Sequence, residues 1–176
     1  MLMKLPVIDV GVHHGISVKP GSKPSYQRPR RLSKKEEVEV CSEIDELTKQ
    51  GLIEQSFSLW AAPIACARRK NGKLRLAIDY VNLNAQSYVH SQHPLPVIED
   101  LLDHLGKATY FSTMEVKSGY HQMPVKESEK ELTSFFVPGQ FEWKHGCPFG
   151  LSGSPYSFRC MMTAVTATNN LYKLIY

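Results

Sequence analysis

The chain has 176 residues, 42% of them apolar, which is enough to bury a core as one domain or as part of a larger one. Its 21 basic and 17 acidic residues give a net charge of +4, a mild excess that does not by itself indicate a nucleic-acid partner. No apolar run approaches the ~20 residues needed to cross a bilayer, and the N-terminus lacks the apolar core of a signal peptide. We therefore expect an intracellular protein without a membrane segment.

Positive charge is concentrated in two segments. Residues 19–35 carry seven Lys or Arg and no acid, and "RRKNGKLR" places five basic residues between Arg68 and Arg75. Such clusters suit a polyanion, because each neutralised phosphate releases counterions and adds affinity. Charge alone leaves solubility as an equal alternative.

The four cysteines do not indicate a metal site. Cys41, Cys66, Cys147 and Cys160 form no Cys-x-x-Cys pair, which argues against structural zinc. A chain of this size does not need disulfides to fold, so the simplest interpretation is four reduced thiols.

In the first half of the chain, the elements follow local signals. Residues 15–31 are rich in Pro, Gly, Ser and basic residues and are expected to cross the surface in extended form instead of packing into the core. "SKKE" is a capping box that opens an amphipathic helix, with Val40, Ile44 and Leu47 on one face and a stop at Gly51. From residue 61 to 78, two short strands flank Asn71-Gly72 and predict a hairpin with a basic tip.

The second half again interleaves helices and strands. Pro96 opens a predicted helix that runs through Leu105 and ends at Gly106. A strand bearing Glu115 at its end is expected next, and "SFFVPGQFEWK" predicts a second hairpin about residues 138–140. Residues 152–168 read as a helix, with Ser152 or Ser154 as its cap and Pro155 in its first turn. These signals predict an α+β fold with a largely antiparallel sheet packed with helices.

The stretch "FSTMEVKSGYHQ" places one carboxylate, Glu115, just before a Lys-Ser-Gly turn. On its own, a lone acid at the end of a strand is best explained as a solvated terminus. His121, in the turn that follows, is expected to pack or to donate a hydrogen bond and not to act as a base. The other six histidines form no recognisable ligand pattern.

Three motifs together carry a family resemblance. They are "LRLAIDYVNLN", "FSTMEVKSGYHQ" and "CPFGLSGSPYSF", each weak alone but present here in the family's order and with similar spacing. With them, most of the chain, from "QRPRRLS" to "NNLYKLIY", resembles the reverse transcriptase domain of gypsy-type long-terminal-repeat retrotransposons. The resemblance implies the fingers and part of the palm of a polymerase, with an extended basic segment at residues 1–32 and the polymerase-like part at residues 33–176.

The resemblance also implies partners and site residues. The expected ligands are an RNA or DNA template-primer, deoxynucleotides and Mg²⁺, and the expected context is a Pol polyprotein. Arg75 and Arg69 match basic residues that contact the triphosphate, and Phe149 matches a residue that lines the nucleotide pocket. Tyr120 matches the aromatic residue under the sugar that selects deoxynucleotides. An exposed hairpin charge at each arginine and a core position for Tyr120 remain the alternatives.

The metal site departs from the family pattern. The resemblance places metal binding at Glu115 and Val116, but Glu115 stands where the family has its first catalytic aspartate. The extra methylene moves the carboxylate oxygens by roughly an ångström, a misplacement that can cost on the order of 10²-fold in rate. The family's Tyr-x-Asp-Asp strand is expected to begin at Tyr176, so its two aspartates, with the thumb and RNase H regions, are expected to lie outside this chain.

A second departure lies in "DYVNLN". Asp79, Tyr80 and Asn84 fit the family's "DYRxLN", but the arginine of that pattern is Val81 here, which leaves its template contact without a donor. Asp79 is expected to be a structural group and not a metal ligand. Two functions follow as hypotheses: a reverse transcriptase domain fragment inactive by itself, or a non-catalytic nucleic-acid-binding module derived from one.

Overall fold

A computed structural model describes residues 10–68, 74–88 and 115–168, together with isolated positions between 72 and 110. Its elements in chain order are α1 (Lys34–Lys49), β1 (Ile53–Gln55), β2 (Ala62–Arg68), β3 (Leu74–Ile78), α2 (Val81–Gln86), two 3₁₀ helices (Gly119–Gln122 and Glu127–Thr133), β4 (Phe135–Val137), β5 (Gly139–Trp143) and α3 (Ser154–Thr168). The helix predicted from Pro96 lies largely outside the described residues, as do residues 111–114 of the strand expected to bear Glu115. Glu115 itself is described and lies in no strand.

Helix α1 begins at the predicted capping box. The Ser33 hydroxyl accepts the Glu36 amide at 3.3 Å, and the Glu36 carboxylate accepts the Ser33 amide at 3.0 Å, so both free amides have a partner. The apolar face of the helix is buried, and the helix ends one residue before Gln50, its C-cap. The prediction of this helix is confirmed.

Within the described residues, the sheet has five strands in the order β1-β5-β4-β2-β3. Strands β2 and β3 pair antiparallel about Gly72, and β4 and β5 pair antiparallel about Pro138, as the turn residues predict. Strand β2 joins the two hairpins through a short parallel pairing with β4, where Ala62 faces Phe135. The predicted α+β class with a largely antiparallel sheet is confirmed.

The described part of the N-terminal segment, residues 10–32, pairs with the rest of the domain through isolated β-bridges. Isolated bridges pair His14 with Val125, Val18 with Ser87 and Tyr26 with Ala61. The segment is extended, as predicted, but the expectation that it stays outside the core is wrong. Ile16 is 6% exposed and belongs to the core cluster. Burial of its apolar side chain is favourable even though most residues around it in the sequence are polar.

The start of α3 differs from the sequence prediction. Ser154 is the first residue of the helix, with Pro155 in its first turn. The hydroxyl of Ser154 bonds Sγ of Cys147, and that of Ser152 bonds Oδ1 of Asn84. The hydroxyls of both candidate N-caps therefore bond residues distant in sequence, and the sequence alone does not reveal these contacts.

Candidate functional site

Tyr120 and Phe149 lie together, although 29 positions separate them in the sequence. Their rings make an edge contact with centroids 5.2 Å apart, and the Tyr120 ring also packs against Phe158 of α3 at 5.1 Å. Phe149 is 42% exposed, so one side of this aromatic cluster faces solvent. Sequence reasoning named the first two residues and missed Phe158, whose helical position gives no sign of the contact.

The Lys-Ser-Gly turn places Tyr120 on this cluster. Ser118 adopts a left-handed conformation (φ 50°) immediately before the first 3₁₀ helix. Gly119 must be small, because a Cβ there would lie 2.7 Å from Cε2 of Phe158. The turn therefore brings the chain close enough to α3 for the tyrosine ring to pack on Phe158.

His121 supports the same cluster from behind. Its ring lies between Trp143 and Phe149, with centroid distances of 4.9 Å and 5.2 Å. Burial lowers the pKa of His121, so the neutral ring is favoured. Behind it, Gly146 (φ 91°) approaches so closely that a Cβ would lie 2.4 Å from the His121 carbonyl oxygen. This histidine packs, as the sequence reasoning expected.

The loop of residues 147–154 is held on both sides. The Cys147 amide donates to the Tyr120 carbonyl at 2.9 Å, which ties the loop to the 3₁₀ helix. The buried thiol of Cys147 lies 2.8 Å from the Ser154 hydroxyl, and burial raises its pKa to about 12, so it stays protonated and unreactive.

On the other side of the loop, Asn84 of α2 makes a two-sided contact. Its amide nitrogen donates to the Gly150 carbonyl at 2.8 Å, and its amide oxygen accepts the Ser152 amide at 2.9 Å. The motif resemblance included Asn84 without a role. The contact fixes the backbone of the loop on the C-terminal side of Phe149.

Glu115 and Val116 lead into the cluster. Glu115 is exposed, while Val116 is partly buried with its Cγ1 3.4 Å from the Cβ that Gly119 would carry. Two Mg²⁺ ions need several carboxylates, and among the residues that the structure describes no group of three His, Cys, Asp or Glu comes together. These residues therefore do not by themselves fit a two-magnesium centre.

Of the two arginines expected to contact the triphosphate, Arg69 lies outside the described residues. The backbone of Arg75 belongs to β3, where it pairs with Ala67 of β2. This places Arg75 near the tip of the basic hairpin, as the Asn-Gly turn predicts.

A pocket of about 330 Å³ lies on the other side of the 147–154 loop, between the N-terminal segment and α3. Its lining includes His13, Asn84, Lys126, Ser152 and Tyr156. Neither Tyr120 nor Phe149 contributes to it. No motif in the sequence indicates this pocket, because its walls come from four separate parts of the chain.

Comparison with known proteins shows the class of protein to which this fold belongs. The model of the family "Reverse transcriptase (RNA-dependent DNA polymerase)" matches residues 67–175. The chain belongs to this family and is a reverse transcriptase domain of the kind found in retrotransposon Pol polyproteins.

Two curated relatives are Pol polyproteins of Drosophila melanogaster transposons. The chain is 34% identical to that of transposon 412 over 147 residues and 36% identical to that of transposon gypsy over 127 residues. These matches cover 80% and 68% of this chain but only 12% of each relative. The match thus spans about an eighth of the length of each of these two relatives.

A solved structure has the same fold. It is the foamy viral protease-reverse transcriptase in complex with double-stranded DNA, which matches 93% of this chain and 28% of its own with a TM-score of 0.71. At 24% identity, this likeness supports the fold alone. Across the described part of the chain, no helix is both long enough and apolar enough to span a bilayer.

Proposed function

We propose that this chain forms the fingers and part of the palm of a gypsy-type retrotransposon reverse transcriptase, which adds deoxynucleotides to a primer on an RNA or DNA template. The observation that carries the proposal is the contact between Tyr120, which follows Glu115 by five residues, and Phe149. Two residues that the family resemblance assigns independently to the nucleotide pocket thus lie side by side, with one side open to solvent.

In this proposal each residue has a role on the nucleotide. The Tyr120 ring, backed by Phe158, packs under the sugar and leaves no room for a 2′-hydroxyl. Phe149 lines the pocket, and Arg69 and Arg75 neutralise the triphosphate. Glu115, with Val116, would supply one part of a Mg²⁺ site that the described residues do not complete.

We further propose that residues 1–176 bind template-primer without extending it. Phosphoryl transfer depends on positioning and on charge neutralisation by two metal ions. One exposed carboxylate cannot hold both ions, and the sequence contains no Asp-Asp pair that could add the other ligands. By resemblance, Tyr176 is assigned to the Tyr-x-Asp-Asp motif, whose aspartates would complete the site.

The alternative is a nucleic-acid-binding module without catalysis. Glu115 in place of the family's aspartate favours it, because the longer side chain displaces the carboxylate while the basic segments stay intact. The two functions differ in whether activity returns once the missing ligands are supplied.

The experiment combines binding with primer extension. We expect residues 1–176 to bind a labelled template-primer with an affinity that falls steeply as salt rises, because its contacts come from Arg and Lys. Affinity independent of salt, or no binding at low salt, would count against any nucleic-acid function.

For extension, three proteins are compared on an RNA template with labelled deoxynucleotides. They are residues 1–176, a chimera in which Tyr176 is followed by the sequence that follows the matched region in the transposon 412 relative, and the Glu115→Asp form of that chimera. We expect no product from the first, and faster extension by the Glu115→Asp chimera than by the chimera that keeps Glu115. Activity of the short chain would overturn the ligand argument, and binding without extension by either chimera would favour the binding module.

A further inference from the structure

Arg30 and Val81 meet at one carboxylate. Oδ2 of Asp79 accepts a hydrogen bond from the Arg30 guanidinium, and Oδ1 of the same side chain accepts the Val81 amide at 3.2 Å. Arg30 precedes Asp79 by 49 positions, so no local pattern predicts the pair. A guanidinium is thereby held beside the first turn of α2, next to a valine that is 68% exposed.

The backbone on either side of Arg30 is fixed. Upstream, Tyr26 bridges to Ala61, and the Gln27 amide donates to the Ala61 carbonyl at 3.0 Å. Downstream, Ser33 is the N-cap of α1. Only a few residues lie between these anchors, so little conformational freedom remains to be lost when Arg30 binds a ligand.

The Arg30 side chain still faces solvent. It is 55% exposed, whereas its partner Asp79 is 22% exposed. A guanidinium carries five N–H donors in a planar fork, so a carboxylate on one edge leaves donors for a second anion. Arg28 and Arg31 are exposed as well, so the local surface is positively charged.

We propose that Arg30, oriented by Asp79, binds a backbone phosphate of the template strand and supplies from the N-terminal segment the positive charge that the family pattern places at position 81. This inference rests on the proposed function, because it names one contact of the nucleic acid that the domain binds. Arg28 and Arg31 add to the field, and Asp79 acts as a positioning residue that aims the guanidinium.

The first test measures affinity for a labelled template-primer across salt concentrations. We expect Arg30→Gln to weaken binding and to reduce the slope of log affinity against log salt by about 0.7 to 0.9, the effect of one lost phosphate contact. Lys49→Gln is the control. It removes the same charge at the exposed far end of α1, about 24 Å along the helix, and should leave binding nearly unchanged.

The second test removes the positive charge at position 30 and restores it at position 81. In the double variant Arg30→Gln, Val81→Arg, the new guanidinium begins beside the same carboxylate, so we expect the lost slope to return. Arg30→Lys keeps the charge without the planar fork and should bind with intermediate affinity. If Arg30→Gln and Lys49→Gln behave alike, or if Val81→Arg restores nothing, the inference is overturned.

Asp79→Asn separates positioning from net charge. The asparagine oxygen can keep the Val81 amide bond, but its NH₂ group faces Arg30 and cannot accept from it. A general electrostatic effect predicts tighter binding, since a negative charge is removed; our proposal predicts weaker binding. Thermal unfolding of each variant confirms that it is folded. Failure of the unmodified chain to bind would overturn the proposed function and this inference together, whereas normal binding that is insensitive to Arg30 would overturn this inference alone.

Discussion

His14 couples the stability of the domain to pH. The side chain is 2% exposed, and its Nδ1 lies 2.9 Å from the Ser157 hydroxyl of α3. Burial, with a smaller contribution from the charge of Lys126, lowers the pKa of His14 from 6.5 to about 4. The folded state therefore favours the neutral ring, while the unfolded chain takes up a proton below pH 6.5.

We expect the free energy of unfolding to be highest above pH 6.5 and to fall as pH drops towards 4, because the unfolded state binds more protons in this window. The contribution of His14 is on the order of 3 kcal/mol. Urea unfolding between pH 7 and 4.5 measures it. The pKa values of His121 and His145 are also lowered by burial and act in the same direction.

Two variants isolate the His14 contribution. His14→Asn removes the titrating ring, so its unfolding free energy should depend on pH much less than that of the unmodified chain. Ser157→Ala removes the hydroxyl and leaves the burial that is the main cause of the shift, so the pH dependence should persist. Equal pH dependence of the His14→Asn and unmodified proteins would refute the assignment.

At the scale of elements, α2 and the 147–154 loop depend on one amide side chain. Asn84 both donates to Gly150 and accepts from Ser152, whereas Asn82 on the same helix donates to the Ser25 hydroxyl at 3.2 Å. We expect Asn84→Asp to lower the free energy of unfolding by about 1 to 3 kcal/mol. The new carboxylate cannot donate a hydrogen bond, so one of its oxygens would face the Gly150 carbonyl oxygen without a proton between them.

Asn82→Asp is the matched control, since the serine hydroxyl can turn to donate to the new carboxylate. Its cost should stay within about 0.5 kcal/mol, as for an ordinary surface substitution. Chemical unfolding curves of both variants give the comparison. If the two substitutions cost the same, the two-sided contact of Asn84 does not hold the loop.

The sequence predicted the elements whose signals are local. The capping box of α1 and the Asn-Gly and Pro-Gly turns are each signalled by a few consecutive residues. The sequence therefore predicted helix α1 and the two hairpins close to their observed positions. The parallel pairing of β2 with β4 and the cap region of α3 depend on distant partners. Ser154, for instance, has the residue type and position of an N-cap, but in the structure its hydroxyl bonds the thiol of Cys147.

The candidate site likewise has features that local motifs indicate and features that depend on distant contacts. Tyr120 and Phe149 were proposed by resemblance, because each lies in a recognisable motif. Their contact with each other, the support from Phe158 and the pairing of Arg30 with Asp79 join parts of the chain that are tens of residues apart. Such contacts exist only once the fold brings the elements together.

At the scale of the whole molecule, the N-terminal segment connects separate parts of the domain. It contacts the chain beside the first 3₁₀ helix, at the end of α2 and at the start of β2, and these contacts lie in three different parts of the sequence. The Tyr88 amide donates to the Ser17 carbonyl at 2.8 Å, and the His14 amide donates to the Pro124 carbonyl at 2.7 Å. The segment therefore bridges regions that are otherwise distant along the chain.

We expect a protein of residues 33–176 to be less stable than residues 1–176 by more than about 3 kcal/mol. Burial of Ile16 alone is worth about 1.5 to 3 kcal/mol, and the deletion also leaves the partners of several backbone hydrogen bonds unpaired. Urea unfolding measures the difference, and the m-value should fall because the shorter chain buries less surface. Ile16→Ala in the longer chain separates the two causes: its cost should be about 2 to 4 kcal/mol, below that of the deletion. An unchanged unfolding midpoint for residues 33–176 would show that residues 1–32 are a tail and not part of the folded unit.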